Sequence, residues 1–240
     1  MTRRSPDVCH NSLDSFWSTI CQLRRYYSLN ILLTAFEPYG DWNENSSWLT
    51  LMEFLKESPA NLNLVTRRYP VELQALKDRL AKDLEERFDA ILHLGQAPGS
   101  SSVQLEAIAL NVACRVEDQG EELPPIEPKG PLAFKSRMPV GRWAELLRAE
   151  KIPASVSYHA GTFLCNATMY LSHLSYEKDP AAPFIGFVHL PLATEQVAAS
   201  QRPAASLPIK TMARALEVLL VDLADWHSAL PKKRSRASRA

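Results

Sequence analysis

Cysteine is scarce in this sequence, with four residues among 240. The four are Cys9, Cys21, Cys114 and Cys165. No two of them form a C-x-x-C pair, and no pair of histidines at zinc-binding spacing lies near them. We therefore expect no metal site, and no cofactor is implied.

Long apolar runs are also missing. No stretch approaches the about 18 to 20 apolar residues that a membrane span requires, and residues 1–10 lack the apolar core of a signal peptide. We therefore expect no membrane partner. The expected compartment is the reducing cytoplasm, where a thiol nucleophile stays usable.

An excess of one charge is absent as well, because 27 basic and 27 acidic residues give a formal net charge of zero. The chain thus offers no electrostatic reason to expect nucleic acid as a partner. Basic residues cluster only after Pro231, in a stretch with almost no large apolar side chains. Residues 229–240 are predicted to form a basic disordered tail.

Strand-like and helix-like segments alternate from residue 30 to residue 228, after an N-terminal extension of residues 1–29. Strands are predicted at 31–34, 64–69, 90–94, 154–157 and 184–189, and helices at 47–56, 71–87, 140–150, after Gly161 and at 209–226. The proline-rich residues 117–139 are predicted to be an irregular excursion. This alternation predicts a single-domain α/β fold, a three-layer α/β/α sandwich with a mostly parallel twisted sheet.

Cys165 is the most informative residue, because it follows a small-residue turn at Gly161 and lies near the start of a predicted helix. Unpaired N–H groups and the helix dipole favour a thiolate there. In a parallel sheet, active sites gather beyond the carboxyl ends of the strands. The loops after Leu33, Leu94 and Val188 are predicted to meet at that edge, close to Cys165.

A thiol nucleophile needs a histidine to take its proton and a third group to orient that histidine. His159 in the loop before Cys165 and His173 two helical turns after it are both candidates for the base. His93, inside an apolar strand, reads as a hydrogen-bonded core histidine.

Four segments resemble the type I pyroglutamyl peptidases, also called pyrrolidone-carboxylate peptidases. Residues 33–40 and 45–48 are similar to the family's G-F-E-P-F-G loop and its N-P-S-W continuation, and residues 95–99 and 105–111 to its G-Q-A-G-G-R and P-E-R-V-A-I-N segments. Residues 160–166 with 169–170 resemble the nucleophile motif, and residues 186–191 with 195–196 resemble the G-F-I-H-V-P histidine motif. The resemblance covers about residues 30–225 in the family's order.

The resemblance implies a cysteine exopeptidase, an omega peptidase that hydrolyses the N-terminal pyroglutamyl residue from peptides. It makes Cys165 the nucleophile, His189 the general base and then acid, and Glu106 the residue that orients the imidazole. The implied partners are N-terminally pyroglutamylated peptides. A homo-oligomer, dimer or tetramer, is expected from the resemblance alone.

The resemblance also implies the residues that bind substrate. A pyroglutamyl ring is a small, flat, uncharged lactam, which suits apolar walls and a few placed polar groups. Phe36 and Tyr39 resemble the family's ring-clamping aromatics, Gln96 is expected to pair with the lactam, and Asn45 is assigned to the same pocket.

The sequence departs from the family pattern at several positions. Ser100 and Ala107 stand where the family has arginines, and Gln104 and Ser46 replace a hydroxyl residue and a proline. The loss of two positive charges near the site motivates an alternative function, a catalytically impaired member that acts as a peptide- or partner-binding protein.

Overall fold

A computed structural model describes residues 29–113 and 123–229. The predicted N-terminal extension and basic tail therefore lie outside the described residues, apart from residues 29 and 229. The described strands are β1 (Leu29–Phe36), β2 (Leu62–Tyr69), β3 (Ala90–Gln96), β4 (Val103–Glu106), β5 (Ile108–Leu110), β6 (Ala133–Lys135), β7 (Ala154–Ser157), β8 (Phe184–Leu190), β9 (Leu192–Ala193) and β10 (Ser206–Leu207). The described helices are α1 (Ser46–Leu55), α2 (Leu73–Asp83), α3 (Val140–Ala149), α4 (Leu164–Ser175), α5 (Thr194–Ser200) and α6 (Ile209–Ala229).

A six-stranded sheet in the order β2-β1-β3-β8-β4-β7 forms the centre of the fold. The first four strands in that order run parallel to one another, β4 runs antiparallel to β8, and β7 runs parallel to β4. The prediction of a mostly parallel sheet is confirmed. The reversal at β4 was not predicted, and it places Gln104 opposite His189 and Glu106 opposite Phe187.

Side chains along β1 alternate between the two faces of the sheet and thus contribute to two hydrophobic cores. Ile31 and Leu33 point to the larger core, which includes side chains of α1, α3 and α6. Phe36 points to the opposite face, where α2 and α4 pack. Because helices cover both faces of one sheet, the predicted three-layer sandwich is confirmed. No helix among the described residues is long and apolar enough to cross a membrane.

Local chemistry sets the bounds of the helices. The helix predicted over residues 71–87 covers only Leu73–Asp83. It begins at Leu73 because the Glu72 carboxylate accepts hydrogen bonds from the N–H groups of Gln74 and Ala75 and so caps the helix. The predicted excursion contributes the short strand β6, which pairs with β5. Residues 114–122 lie outside the described residues.

A buried carboxylate joins two helices on the larger core. Asp222 of α6 accepts hydrogen bonds from Nε of Arg142 at 2.9 Å and from the indole Nε1 of Trp143 at 3.1 Å, both on α3. Trp143 is 1% exposed, so its N–H has no access to water. Asp222 therefore satisfies a donor that would otherwise be buried without a partner.

We predict that Asp222→Ala lowers the free energy of unfolding by about 1 to 3 kcal/mol, because the Trp143 N–H loses its acceptor. Urea denaturation followed by circular dichroism measures the change. Asp222→Asn keeps an acceptor and should lose less, and the exposed Asp225→Ala should stay within about 0.5 kcal/mol. Equal losses for Asp222→Ala and Asp225→Ala would contradict this role.

Candidate active site

The carboxyl ends of three parallel strands and the start of one helix meet around a single cavity. Phe36 ends β1, Gln96 ends β3, His189 is the next-to-last residue of β8, and Cys165 is the second residue of α4. The cavity has a volume of about 280 Å³. Its lining is formed by Phe36, Tyr39, Asn45, Val71, Gln96, residues 160–165 and His189. The predicted gathering of these loops at one sheet edge is confirmed.

A buried ion pair joins His189 of the cavity lining to Glu106 behind it. Nδ1 of His189 and Oε1 of Glu106 are 2.8 Å apart, and Glu106 has no exposed surface. Because a carboxylate can only accept, Nδ1 is the donor. This bond leaves Nε2 as the ring nitrogen of His189 available to Cys165, which lines the same cavity. The arrangement holds one imidazole between a carboxylate and a free thiol.

The charge state of His189 follows from these neighbours. Burial by itself lowers the pKa of His189, but the charge and hydrogen bond of Cys165, together with the hydrogen bond and charge of Glu106, raise it to about 10. The imidazole is therefore protonated at neutral pH. A protonated imidazole in this position can give a proton to a leaving group.

The start of α4 supplies further donors beside Cys165. Gly161 has a φ of +78°, which a glycine adopts without strain and which turns the chain into the helix. Phe163 is the N-cap, and among the described residues no side chain caps this helix. The first N–H groups of a helix have no partner inside it, so those at Leu164 and Cys165 are available to an anion.

Gly95 leaves room for the nucleophile. A Cβ atom at this position would lie 3.0 Å from Sγ of Cys165 and 2.7 Å from two ring carbons of Phe187. Such a Cβ atom would be too close to the rigid ring of Phe187 and to the sulfur of Cys165. The absence of a side chain at residue 95 therefore lets α4 approach the sheet at the reactive sulfur.

Tyr39 and Gln96 form a polar contact in the otherwise apolar wall. The Tyr39 hydroxyl donates to the backbone oxygen of Gln96 at 3.1 Å. Burial, followed by the nearby Cys165 charge, raises the pKa of Tyr39 to about 12, although the Gln96 amide acts in the opposite direction. The hydroxyl thus stays protonated and keeps its bond.

The amide oxygen of Gln96 is hydrogen-bonded, whereas its amide nitrogen has no partner among the described residues. Its Oε1 accepts from the Ser46 N–H at 2.8 Å and from Nε2 of Gln196 at 3.0 Å. Its own Nε2 is buried without a partner among the described residues. Buried donors are rarely left unpaired, so this amide nitrogen is suited to a bound molecule.

Comparison with known proteins decides the family. A family model described as pyroglutamyl peptidase matches residues 29–225. The chain belongs to the pyroglutamyl peptidase family. It is accordingly an enzyme of the cysteine-peptidase type.

Relatives in this family match over most of the length of the chain. The pyrrolidone-carboxylate peptidase of Coprothermobacter proteolyticus is 35% identical over 202 residues, covering 81% of this chain and 97% of the relative. That of Streptomyces coelicolor is 37% identical over 199 residues, covering 79% and 89%. The crystal structure of pyrrolidone carboxyl peptidase from Fervidobacterium islandicum AW-1 has a TM-score of 0.76 at 32% identity, covering 82% of this chain and 99% of that chain. A mutant from Pyrococcus furiosus has a TM-score of 0.75 at 29% identity, covering 83% and 100%.

The two other candidates for the base, His159 and His173, do not line the cavity. His159 is exposed, and its Nδ1 accepts from the Gly161 N–H at 3.1 Å. His173 is buried and stacks on Phe134, and burial followed by Arg137 lowers its pKa to about 4. Neither rival candidate lines the cavity as His189 does.

His93 is enclosed in the core. Its ring nitrogens lie 2.7 Å from the Thr34 hydroxyl and 2.8 Å from the Ser172 hydroxyl. Burial, followed by the charge of His173, lowers its pKa to about 3. The interpretation of His93 as a hydrogen-bonded core histidine agrees with this geometry.

Asn45 lines the cavity but also holds the loop before α1. Its Oδ1 accepts from the backbone N–H and the hydroxyl of Ser47 at 3.0 and 2.7 Å, and its Nδ2 donates to the Glu37 oxygen at 2.9 Å. These bonds cap α1 and join the two ends of the loop. Contact of Asn45 with substrate stays a prediction.

The positions where the family has arginines are filled by small residues. Ser100 donates to the Ser102 oxygen at 2.8 Å, within its own turn. Ala107 is buried and borders a second cavity of about 300 Å³, which Lys135 also lines.

Glu106 Oε2 is buried without a partner among the described residues. No group of three or more potential metal ligands occurs in the described part of the chain.

We predict that Gly95→Ala destabilises the fold by about 1 to 3 kcal/mol, because overpacking displaces Phe187 or the nucleophile. The same change should slow alkylation of Cys165 by iodoacetamide, followed by mass spectrometry. Gly141→Ala is the matched control, since a Cβ atom there meets nothing within 4 Å. Similar alkylation rates in the wild type and Gly95→Ala would contradict the close approach.

Proposed function

We propose that this chain is an omega peptidase that releases the N-terminal pyroglutamyl residue from peptides through Cys165, His189 and Glu106. The observation that carries the proposal is the 2.8 Å bond between Glu106 and Nδ1 of His189, which leaves Nε2 toward Cys165 in one cavity. The printed names of the relatives, pyrrolidone-carboxylate peptidases, supply the substrate class.

The first half of the reaction forms a thioester. The Cys165 thiolate attacks the carbonyl carbon that joins the pyroglutamyl residue to the next amino acid, and a tetrahedral oxyanion results. The backbone N–H of Cys165, in the uncapped first turn of α4, is the candidate donor to that oxygen. The His189 imidazolium gives its Nε2 proton to the leaving amine as the C–N bond breaks.

Water completes the reaction. Neutral His189 takes a proton from the water that attacks the thioester, the C–S bond breaks, and pyroglutamate leaves. The thiolate and the imidazolium are then restored. Throughout, the Glu106 carboxylate holds Nδ1–H, which fixes the tautomer and stabilises the charged ring.

Recognition uses other residues of the cavity lining. Phe36 and Tyr39 provide apolar faces for the flat ring, and the unpaired Nε2 of Gln96 is the donor for the lactam carbonyl. Apart from His189 and Cys165, the lining carries no ionisable side chain except the protonated Tyr39. An uncharged lactam therefore enters at lower desolvation cost than an open-chain glutamyl residue with two charges.

We also propose residues 30–228 as the catalytic unit, supported by the family match over residues 29–225. The requirement for a reduced Cys165 supports the cytoplasm as the compartment. The homo-oligomer that the resemblance implies stays a prediction.

Cys165→Ala should abolish release of a fluorophore from a pyroglutamyl amide under reducing conditions, because no other group forms the thioester. The wild type should turn over in the same assay. Cys21→Ala is the matched control and should keep wild-type turnover. Turnover that persists undiminished in Cys165→Ala would contradict the proposed nucleophile.

The pH dependence of kcat/KM tests the role of Glu106. Because His189 must be protonated to serve the leaving amine, activity should persist into alkaline solution and fall as pH rises through about 10. Glu106→Gln removes the negative charge and weakens the hydrogen bond at Nδ1, which together with Cys165 raise the pKa of His189, so this alkaline limb should move to lower pH. We expect kcat/KM to fall on the order of 10²- to 10⁴-fold.

Glu106→Asp is the control for this experiment. It keeps the negative charge, so the alkaline limb should stay closer to that of the wild type even where the rate falls. An alkaline limb that does not move in Glu106→Gln would show that Glu106 does not set the charge of His189.

A further inference from the structure

A second glutamine lies directly behind Gln96. Gln196 belongs to the first turn of α5, is 8% exposed, and donates from Nε2 to Oε1 of Gln96 at 3.0 Å. It does not line the cavity. The hydrogen bond to Gln96 therefore links Gln196 directly to a residue of the cavity lining.

Backbone groups fix the orientation of the Gln196 amide. Its Oε1 accepts from the Ala193 N–H at 3.3 Å, and its Nε2 donates to the Glu44 carbonyl at 2.8 Å. A backbone N–H can only donate and a carbonyl can only accept. Turning the Gln196 amide over would break both bonds, so its second Nε2 proton is held toward Gln96.

The Gln96 amide takes its orientation from this neighbour. Its Oε1 receives the Gln196 Nε2–H and the Ser46 N–H, and two donors cannot face an amide nitrogen. With Oε1 held on that side, Nε2 must occupy the other end of the amide. Gln96 lines the cavity, and this Nε2 is a buried donor that has no hydrogen-bond partner in residues 29–113 and 123–229.

We propose that Gln196 is a positioning residue that locks the Gln96 amide so that its N–H groups, and not its oxygen, face the lactam carbonyl. This inference rests on the proposed function. The orientation passes from the backbone at Ala193 and Glu44, through Gln196, to Gln96. A donor oriented before binding loses less entropy on binding, which improves recognition of the carbonyl.

Two substitutions test the proposal. Gln196→Met keeps the length of the side chain and removes the donor. Gln196→Glu keeps the acceptor for the Ala193 N–H and places a carboxylate oxygen against Oε1 of Gln96, which favours a turned amide. Two variants with different packing keep the test usable if one of them fails to fold.

Inhibition constants of two small rings provide the measurement, 2-pyrrolidinone and its thione analogue 2-pyrrolidinethione. A C=S group accepts hydrogen bonds more weakly than C=O, so wild-type preference for the lactam reports the Gln96 donor. In both variants we expect this preference to shrink by about two- to tenfold. KM for a pyroglutamyl amide should rise by a similar factor while kcat changes little, because the lost contact is present in both substrate and transition state.

Two controls separate positioning from general structural support. Gln74→Met makes the same chemical change at an exposed amide on α2, and it should leave the preference unchanged. In a Gln96→Met background, Gln196→Met should have no further effect on the preference, because its action requires the Gln96 amide. If Gln196 had only a structural role, its substitution would lower the free energy of unfolding without altering the preference for the lactam over the thione.

An unchanged ring preference in both Gln196 variants, with pyroglutamyl turnover intact in the wild type, would overturn the inference and leave the proposed function standing. If the wild type shows no turnover yet binds 2-pyrrolidinone with a Gln196-dependent preference, the inference stands and the proposed reaction fails. Absence of both turnover and ring binding in the folded wild type would overturn both.

Discussion

The buried pair of Glu106 and His189 is the interaction on which the rest of the site depends. Removing a carboxylate from water is costly unless a partner compensates, and the fully buried carboxylate of Glu106 has, within the described part of the chain, one hydrogen bond, to His189. The compensation comes from the imidazolium, whose own charge is supported on its other side by Cys165. Cys165 and Glu106 together therefore hold His189 in its charged form.

The reversal of β4 makes this pair possible. Because β4 runs antiparallel to β8, Glu106 lies opposite Phe187. Phe187 and His189 are two residues apart on β8, so the side chains of Glu106 and His189 lie on the same face of the sheet. A four-residue strand has too little pattern to show its direction, since that direction is set by its partner and not by its own residues. The longer apolar strands and the amphipathic helices were predictable because their periodicity is local.

The site residues differ in the same way, because some are marked by local sequence patterns and others only by long-range contacts. Residues inside contiguous motifs, such as Cys165 and His189, could be named from the sequence, since each motif carries its own pattern. Gln196 could not be given a role, because its contacts join residues about 100 positions apart. Asn45 was named for the pocket, yet its bonds hold a helix start, a function that only the local geometry reveals.

The central place of β8 links the chemistry to completion of the chain. This strand lies between β3 and β4, so the halves of the sheet that carry Gln96 and Glu106 are joined only when residues 184–190 enter. A nascent or partly unfolded chain thus holds its thiol without an imidazolium beside it. Such insertion of a late segment between earlier strands requires long-range pairing and is slow. Glu106 and His189 consequently become sheet neighbours only once residues 184–190 have been synthesised and have paired with β4.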